Sequence, residues 1–203
     1  MMESENRQEL KIVIRNTTDF IKISKFIVQN NFNIHHPSRL INSFYFDNNF
    51  KDHKYSIEGI TPRKKIRIRN YPNEKDIKFY LEIKNSAVEG RFKTRNVIND
   101  KEFSEKKFYG ILDNQYGTCF PKLYVSYLRE YFLLDDVRIS IDENIEYADY
   151  STNLHFNDQN IIVELKTSIK KNLNELIEDF PMQRIRFSKY CLGVENLYNL
   201  KTN

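Results

Sequence analysis

Cysteine, glycine and proline are scarce in this 203-residue sequence. It contains two cysteines, Cys119 and Cys191, together with five glycines and five prolines. Two cysteines make no disulfide framework and have no metal-ligand spacing, so the sequence favours a reducing cytoplasmic location. The low glycine and proline content excludes a linker or a low-complexity chain. The N-terminal residues, MMESENRQELK, contain no apolar segment and therefore do not read as a signal peptide.

Long apolar runs and a strong charge imbalance are also lacking. No run approaches the roughly 18 to 20 residues that a spanning helix needs, which excludes direct insertion into a membrane. The 32 basic and 28 acidic residues leave a net charge of +4, too mild to indicate a nucleic-acid partner. The aromatic residues are interleaved with apolar ones and form no platform for stacking bases, so we expect no nucleic acid. No linker or repeat divides the chain, which predicts one domain over residues 1–203.

Alternation with a period of two dominates the sequence. We expect helices only at residues 18–29, 100–112 and 173–180, the last ended by Pro181. We expect eight strands, at residues 7–14, 42–47, 63–71, 77–84, 91–98, 123–134, 137–142 and 161–166. Short connections such as Glu89-Gly90 and Asp135-Asp136 indicate hairpins between neighbouring strands. The fold class that follows is α+β and mainly antiparallel, and a sheet of about eight strands with a few flanking helices suggests a closed eight-stranded barrel or a sandwich.

One face of these strands is unusually rich in charge. In the strand from Arg63, alternate residues are Arg or Lys, and the opposite face carries Ile66 and Ile68. Five other strands repeat this division between Arg, Lys or Glu and aliphatic residues. An ordinary solvated face would explain such alternation. The alternative is that the charged face points inward, where it would line a wet and mainly basic tunnel that suits a polyanion because Arg and Lys bind phosphate oxygens.

An ordered set of motifs carries a resemblance to a known family. The set is RQELK, SFYFD, KKIRIRNY, YLEIK, GRFKTR, VSYLREYF, VRISIDENI, IIVELK and FSKY. In this order it resembles the VTC domain, the polyphosphate-polymerase branch of the triphosphate tunnel metalloenzymes, from about Arg7 to Gly193. The resemblance implies an antiparallel β-barrel tunnel in which the terminal phosphoryl group of ATP is added to a growing polyphosphate chain. It also implies a divalent cation, Mn²⁺ or Mg²⁺.

The resemblance further implies which residues act. Glu164 of VELK is expected to be the metal ligand, and Arg67, Arg69, Arg129 and Lys189 are expected to grip the donor triphosphate. The complete set of expected phosphate ligands is Lys11, Arg67, Arg69, Lys84, Lys93, Arg129, Arg138, Ser188 and Lys189. Tyr127 is expected to pack beside Arg129.

Two departures from the family pattern limit what can be carried over. Many tunnel enzymes outside this branch open with two glutamates before the lysine, whereas only Glu9 precedes Lys11 at that spacing here, which weakens a simple triphosphatase interpretation. The eukaryotic relatives add a regulatory module and a membrane anchor, so an anchor here would have to come from a separate membrane protein. A metal-dependent triphosphatase and a non-catalytic polyphosphate-binding module remain the alternatives. The sequence does not indicate the oligomeric state.

Overall fold

The computed structural model describes residues 3–4, 7–168 and 184–200. These residues form eleven strands and four helices. The strands are β1 (Glu3–Ser4), β2 (Arg7–Ile14), β3 (Asn33–Asp47), β4 (Arg63–Asn70), β5 (Phe79–Ala87), β6 (Gly90–Ile98), β7 (Ile111–Asp113), β8 (Gly117–Leu134), β9 (Val137–Asp149), β10 (His155–Asp158) and β11 (Ile161–Ser168). The helices are α1 (Thr17–Gln29), α2 (Lys51–Glu58), α3 (Asp100–Tyr109) and α4 (Lys189–Tyr198).

All strand pairs are antiparallel, and the main sheet runs in the order β1, β6, β5, β4, β3, β8, β9, β11, β2. The α+β class and the eight long strands are therefore confirmed. Only residues 5 and 6 separate β1, at one end of the sheet, from β2, at the other. Because consecutive Cα atoms are about 3.8 Å apart, the two ends approach within roughly 11 Å at that point.

The prediction of a closed barrel is not confirmed, because the sheet is a curled, open half-barrel. Over the described residues, β6 and β2 share no ladder of hydrogen bonds, and the outer edge of β6 pairs only with the two residues of β1. The register gives the physical reason: β1 pairs with β6 at Phe92 and Lys93 and so occupies the backbone groups that a ladder between β6 and β2 would need there.

The outer face of the sheet is apolar and is covered by helices. Helix α1 begins one residue before the expected start, and the side chain of its N-cap, Asn16, accepts a hydrogen bond from the Asp19 amide. Ile23, Phe26 and Ile27 of α1 recur at helical spacing and pack on the outward side chains of β2, β9 and β11. Phe103 of α3 stacks on Phe79 at 4.1 Å between ring centroids and covers β5 in the same way.

The inner face has two parts. At one end of the half-barrel, α4 lies on inward apolar residues, with Tyr190, Val194 and Leu197 in contact with a cluster that includes Val125 and Ile162. Gly193 permits this approach, since a Cβ there would lie 2.6 Å from a methyl group of Leu123 and 2.7 Å from the ring of Tyr147. The rest of the inner face is charged and surrounds a cavity.

Of the three predicted helices, the first matches α1 to within one residue, the second is shorter in the structure and the third lies outside the described residues. The second predicted helix stops three residues early, because Gly110, at a φ of 82°, ends α3 and the following residues form β7. Helices α2 and α4 were not predicted. The helix expected at residues 173–180 lies outside the described ranges. None of the described helices is both long enough and apolar enough to cross a bilayer.

Candidate functional site

The curled sheet encloses a cavity of about 490 Å³ along its charged inner face. Four acidic residues line it: Glu9, Asp52, Glu82 and Glu164. Fourteen basic residues line it: Lys11, Arg63, Lys65, Arg67, Arg69, Lys84, Arg91, Lys93, Arg95, Arg129, Arg138, Lys166, Arg186 and Lys189. The whole chain holds 32 basic and 28 acidic residues, so the basic residues are strongly concentrated here. The electrostatic potential of such a cavity favours a multiply charged anion.

Glu82 is the centre of one ionic cluster on the β4–β5–β6 wall. Its carboxylate is 1% exposed and accepts two hydrogen bonds from the Arg67 guanidinium, at 2.6 and 2.8 Å. Lys93 lies 2.9 Å from the same carboxylate, Arg95 lies 3.6 Å away and Arg69 4.0 Å away. Burial alone would raise the pKa of Glu82, but Arg67, Arg69 and Lys93 outweigh it and hold that pKa far below its ordinary range. One carboxylate thus fixes several cations whose remaining N–H groups can face the cavity.

Asp142 organises the opposite wall. It is 1% exposed and pairs with the Arg129 guanidinium through both carboxylate oxygens and with Lys189 Nζ at 2.5 Å. Burial favours the neutral form of Asp142, yet the two cations hold its pKa below the ordinary value. Tyr127 completes the cluster: its ring lies 4.6 Å from Lys189 Nζ, and its hydroxyl accepts a hydrogen bond of 2.9 Å from Arg69. Lys189 on α4 is thereby held against the sheet.

A third cluster joins β2 and β11 and contains equal numbers of acids and bases. Lys166 Nζ lies 2.8 Å from Glu164 and 3.5 Å from Glu9, and Lys11 lies 3.2 Å from Glu9 and 4.0 Å from Glu164. Burial would raise the pKa of Glu164, but Lys166, Lys11 and Arg129 hold it well below its ordinary value. Both carboxylates of this cluster are thus suited to remain ionised at neutral pH.

The carboxylate pair also bears on metal binding. Within the described parts of the chain, no three His, Cys, Asp or Glu side chains converge as a ready-made metal site. A protein-bound Mg²⁺ commonly uses only one or two carboxylates and takes its other ligands from substrate phosphates and water. Glu164 and Glu9, both ionised and both facing the cavity, fit a metal of that kind.

Lys84 is less well compensated than the other cations. It makes no ion pair within 4.0 Å with any described residue. Burial and the nearby charges of Arg67 and Lys166 lower the pKa of Lys84 to about 7. An anion bound in the cavity would supply the counter-charge that Lys84 lacks.

The beginning of α4 forms the last part of the site. Ser188 is the N-cap, since its hydroxyl oxygen accepts from the Cys191 amide, and the same oxygen accepts from Lys65 Nζ at 3.0 Å. Tyr190 donates a hydrogen bond of 2.6 Å to Asp47, and burial raises the pKa of that carboxyl to about 6. With both oxygen lone pairs engaged, the Ser188 hydroxyl can still donate its proton into the cavity.

All ten residues expected at the site line this cavity. They are Lys11, Arg67, Arg69, Lys84, Lys93, Arg129, Arg138, Glu164, Ser188 and Lys189. Tyr127 does pack beside Arg129, with the guanidinium 5.3 Å from its ring centroid. The binding of phosphate or metal by these ten residues stays a prediction.

Sequence reasoning missed several supporting residues. It did not identify Asp142 as the partner of Arg129 and Lys189, nor Asp52, which lies 3.4 Å from Lys65. It also missed α4 itself. The signal for that helix was present, since Ser188 is a good N-cap and Tyr190, Val194 and Leu197 recur at i, i+4 and i+7.

Comparisons with known proteins agree with this geometry. A family model described as the VTC domain matches residues 2–198. No curated protein sequence matches the chain significantly. Among solved structures, the chain is similar to a candidate adenylate cyclase from Bacillus halodurans, with 12% identity, a TM-score of 0.63, and coverage of 97% of this chain and 98% of that one. It is also similar to a protein from Pyrococcus horikoshii, with 17% identity, a TM-score of 0.58, and coverage of 93% of this chain and 99% of that one. At these identities the structural matches bear on the fold alone.

Proposed function

The chain belongs to the VTC domain family of the triphosphate tunnel fold, and we propose that it is a polyphosphate polymerase that transfers the terminal phosphoryl group of ATP to a growing polyphosphate chain. One observation carries this proposal. Fourteen of the basic side chains but only four of the acidic ones line a single cavity of about 490 Å³. That charge distribution supports a substrate made of linear phosphates, and the family supports the phosphoryl transfer.

In the proposed reaction, a terminal oxygen of the polyphosphate chain attacks the γ-phosphorus of ATP. A new P–O bond forms, the bond from the γ-phosphorus to the β,γ-bridging oxygen breaks, and ADP leaves with the electron pair. The attacking oxygen is already anionic, so no general base is needed. Most of the rate then comes from alignment of the two phosphate chains and from stabilisation of charge on the transferring oxygens.

The residues divide this work. Arg67, Arg69, Arg129 and Lys189 grip the donor triphosphate, and Glu82 and Asp142 keep all four in place through the ion pairs described above. Lys11, Lys84, Lys93 and Arg138 follow the acceptor chain or the leaving diphosphate, and Ser188 donates to a phosphate oxygen. Because these groups stand on a sheet, little reorganisation accompanies the transfer.

A divalent cation, Mn²⁺ or Mg²⁺, would be held by Glu164 with Glu9 beside it. When bound, it would neutralise charge on the phosphate oxygens. The protein's own contribution at this position is to keep two carboxylates ionised between Lys11 and Lys166.

The experiment is to supply the purified protein with ATP and Mn²⁺ and to resolve the products on a denaturing gel. We expect long-chain polyphosphate. Orthophosphate as the sole product would replace the polymerase with a triphosphatase, and salt-sensitive polyphosphate binding without turnover would indicate a binding module.

Glu164→Ala is the matching variant. We expect it to abolish metal-dependent turnover while inorganic tripolyphosphate still binds, because the variant removes a carboxylate and none of the cations. Glu130→Ala, on an exposed side chain of β8, is the control and should retain activity. Unchanged turnover in Glu164→Ala would remove Glu164 from the site.

We further propose that residues 1–203 act as one domain in the cytoplasm, with any attachment to a membrane supplied by a separate protein. The family match over residues 2–198 supports the single domain.

A further inference from the structure

One opening of the cavity is built from tyrosine and arginine. The guanidinium of Arg39 lies 5.7 Å from the ring centroid of Tyr71 and 5.7 Å from that of Tyr131. Behind them, Tyr80 meets Tyr71 edge to face at 5.9 Å, and Arg95 lies 3.8 Å over the Tyr80 ring. The other clusters of the cavity bind through charge. This opening adds flat, polarisable surfaces to the charges.

A second, smaller cavity of about 260 Å³ adjoins this opening and shares Tyr71 with the first. Arg39 and Tyr71 supply two of its walls, and Ser38, Asn73 and Glu74 supply polar groups. Sites for whole drug-sized ligands usually measure about 300–1,000 Å³, so this pocket suits one ring system rather than a complete nucleotide. Its amide and carboxylate groups can pair with the polar edge of such a ring.

The strand register joins the small pocket to the phosphate-gripping residues. Tyr71 follows Arg69 by two positions, just after β4 ends at Asn70, and both side chains line the larger cavity. Arg39 is the cross-strand partner of Arg129. The aromatic pocket therefore lies directly beside the residues that are expected to grip the triphosphate.

Arg39 is free to adjust to a ligand. Its one ion pair among the described residues is with Glu74, at 3.6 Å, and both side chains are about one-third exposed. Exposed pairs of this kind contribute little to stability. The guanidinium can therefore move over a planar ligand without disrupting the fold.

From this arrangement we infer that the small pocket is a nucleobase subsite, in which the base of the nucleoside triphosphate stacks against Tyr71 and Arg39. The inference rests on the proposed function and extends it, since it assigns a place to the part of the donor that the phosphate clusters do not hold. Stacking on an aromatic ring is open to every base, because every base has a π-face, and arginine adds a cation–π contribution.

The test compares two ligands that share the triphosphate and differ in the base. Binding of ATP and of inorganic tripolyphosphate is measured by calorimetry for the unaltered protein, Tyr71→Ala and Tyr71→Phe. We expect Tyr71→Ala to weaken ATP about tenfold while tripolyphosphate stays within about twofold, and Tyr71→Phe to retain ATP affinity because the ring remains. Tyr109→Ala, on a 70% exposed ring of α3 outside the sheet, is the control.

A second variant guards against misfolding of Tyr71→Ala. Ser38→Leu, at an exposed position of the small pocket, adds aliphatic bulk that cannot stack and should weaken the binding of ATP alone.

If Tyr71→Ala and Ser38→Leu weaken the binding of the two ligands equally, the pocket is not a base subsite. If both variants bind ATP as well as the unaltered protein does, the base lies elsewhere and the inference is wrong. If the unaltered protein binds ATP no more tightly than tripolyphosphate, the base contributes nothing to affinity. The subsite inference is then wrong, and the proposed function is unaffected. Failure of both ligands to bind overturns the two together.

Discussion

The inner face of the half-barrel has an apolar part under α4 and a charged part around the cavity, and the same strands contribute residues to both. On β11, Ile162 lies under α4 and Glu164, two residues later on the same side of the sheet, faces the cavity. On β8, Val125 and Arg129 show the same contrast. Where a helix covers the inner face, the side chains are apolar. Where no described helix covers the inner face, the side chains are charged and held by buried carboxylates. This part of the surface is therefore shaped for a polar occupant.

The two parts also differ in what an occupant would do for them. The apolar part already has its partner in α4, and burial of aliphatic side chains stabilises it. The cationic part holds like charges close together, at a cost that Glu82 and Asp142 offset in part. We therefore expect anions to stabilise the protein through the charged part, whereas changes in the apolar part should alter stability alone.

The largest loss of stability is expected from Glu82→Gln. Removing one partner of a buried ionic cluster typically costs about 3–5 kcal/mol, because the other charges stay buried without compensation. We expect a loss of that size in the free energy of unfolding by urea denaturation. Tripolyphosphate should raise the melting temperature of the variant by more than it raises that of the unaltered protein, since it replaces the missing negative charge.

The control for this change is Glu105→Gln, which removes an exposed ion pair with Lys101 at 3.9 Å. Exposed pairs of this kind contribute about 0–1 kcal/mol. Equal losses in the two variants would contradict a special role for the Glu82 cluster.

Ile162→Ala probes the apolar part. Its side chain is 1% exposed, and replacing a buried isoleucine by alanine costs about 2–4 kcal/mol through lost burial and the cavity left behind. Binding of tripolyphosphate, measured well below the melting temperature, should stay within about twofold of the unaltered value. Val97→Ala, at a position that is 63% exposed, should change neither quantity. A large loss of tripolyphosphate affinity in Ile162→Ala would mean that the two parts are coupled.

The last change concerns Lys84→Met, the one variant that is expected to be more stable than the unaltered protein. The pKa of Lys84 lies near 7 in the folded protein, against about 10.4 for an unfolded lysine, so the unfolded state binds more protons between those values. The unfavourable contribution of Lys84 is thus complete below pH 7 and disappears as the pH rises toward 10.4. We expect the variant to melt at least several degrees higher at pH 7, with the gain vanishing near pH 10.

The same variant should bind tripolyphosphate about tenfold more weakly, because a charge-assisted contact is lost. Lys78→Met, on an exposed side chain just before β5, is the matched control for both measurements. If the gain of Lys84→Met over the unaltered protein is no larger at pH 7 than at pH 10, Lys84 carries no destabilising buried charge.

Much of the fold could be predicted from the sequence. Strand β2 begins and ends at the expected residues, and the alternation of Arg63, Lys65, Arg67 and Arg69 identified the inner face of β4 correctly. Prediction failed where a single residue determines the end of a helix, or where a helix depends on contacts with residues far away in sequence. Gly110 ends α3, and α4 depends on packing against residues of distant strands, such as Val125 and Ile162.

The sequence by itself determined which side of each strand is charged, because successive side chains alternate between the two faces of a strand. It also determined the family, through motifs that keep their order along the chain. Only the tertiary structure decided that the half-barrel stays open, that α4 fills one end of it, and which carboxylate holds which cation. Those outcomes depend on contacts between residues far apart in sequence, such as Asp142 with Lys189, and periodicity along a strand contains no information about its distant partners.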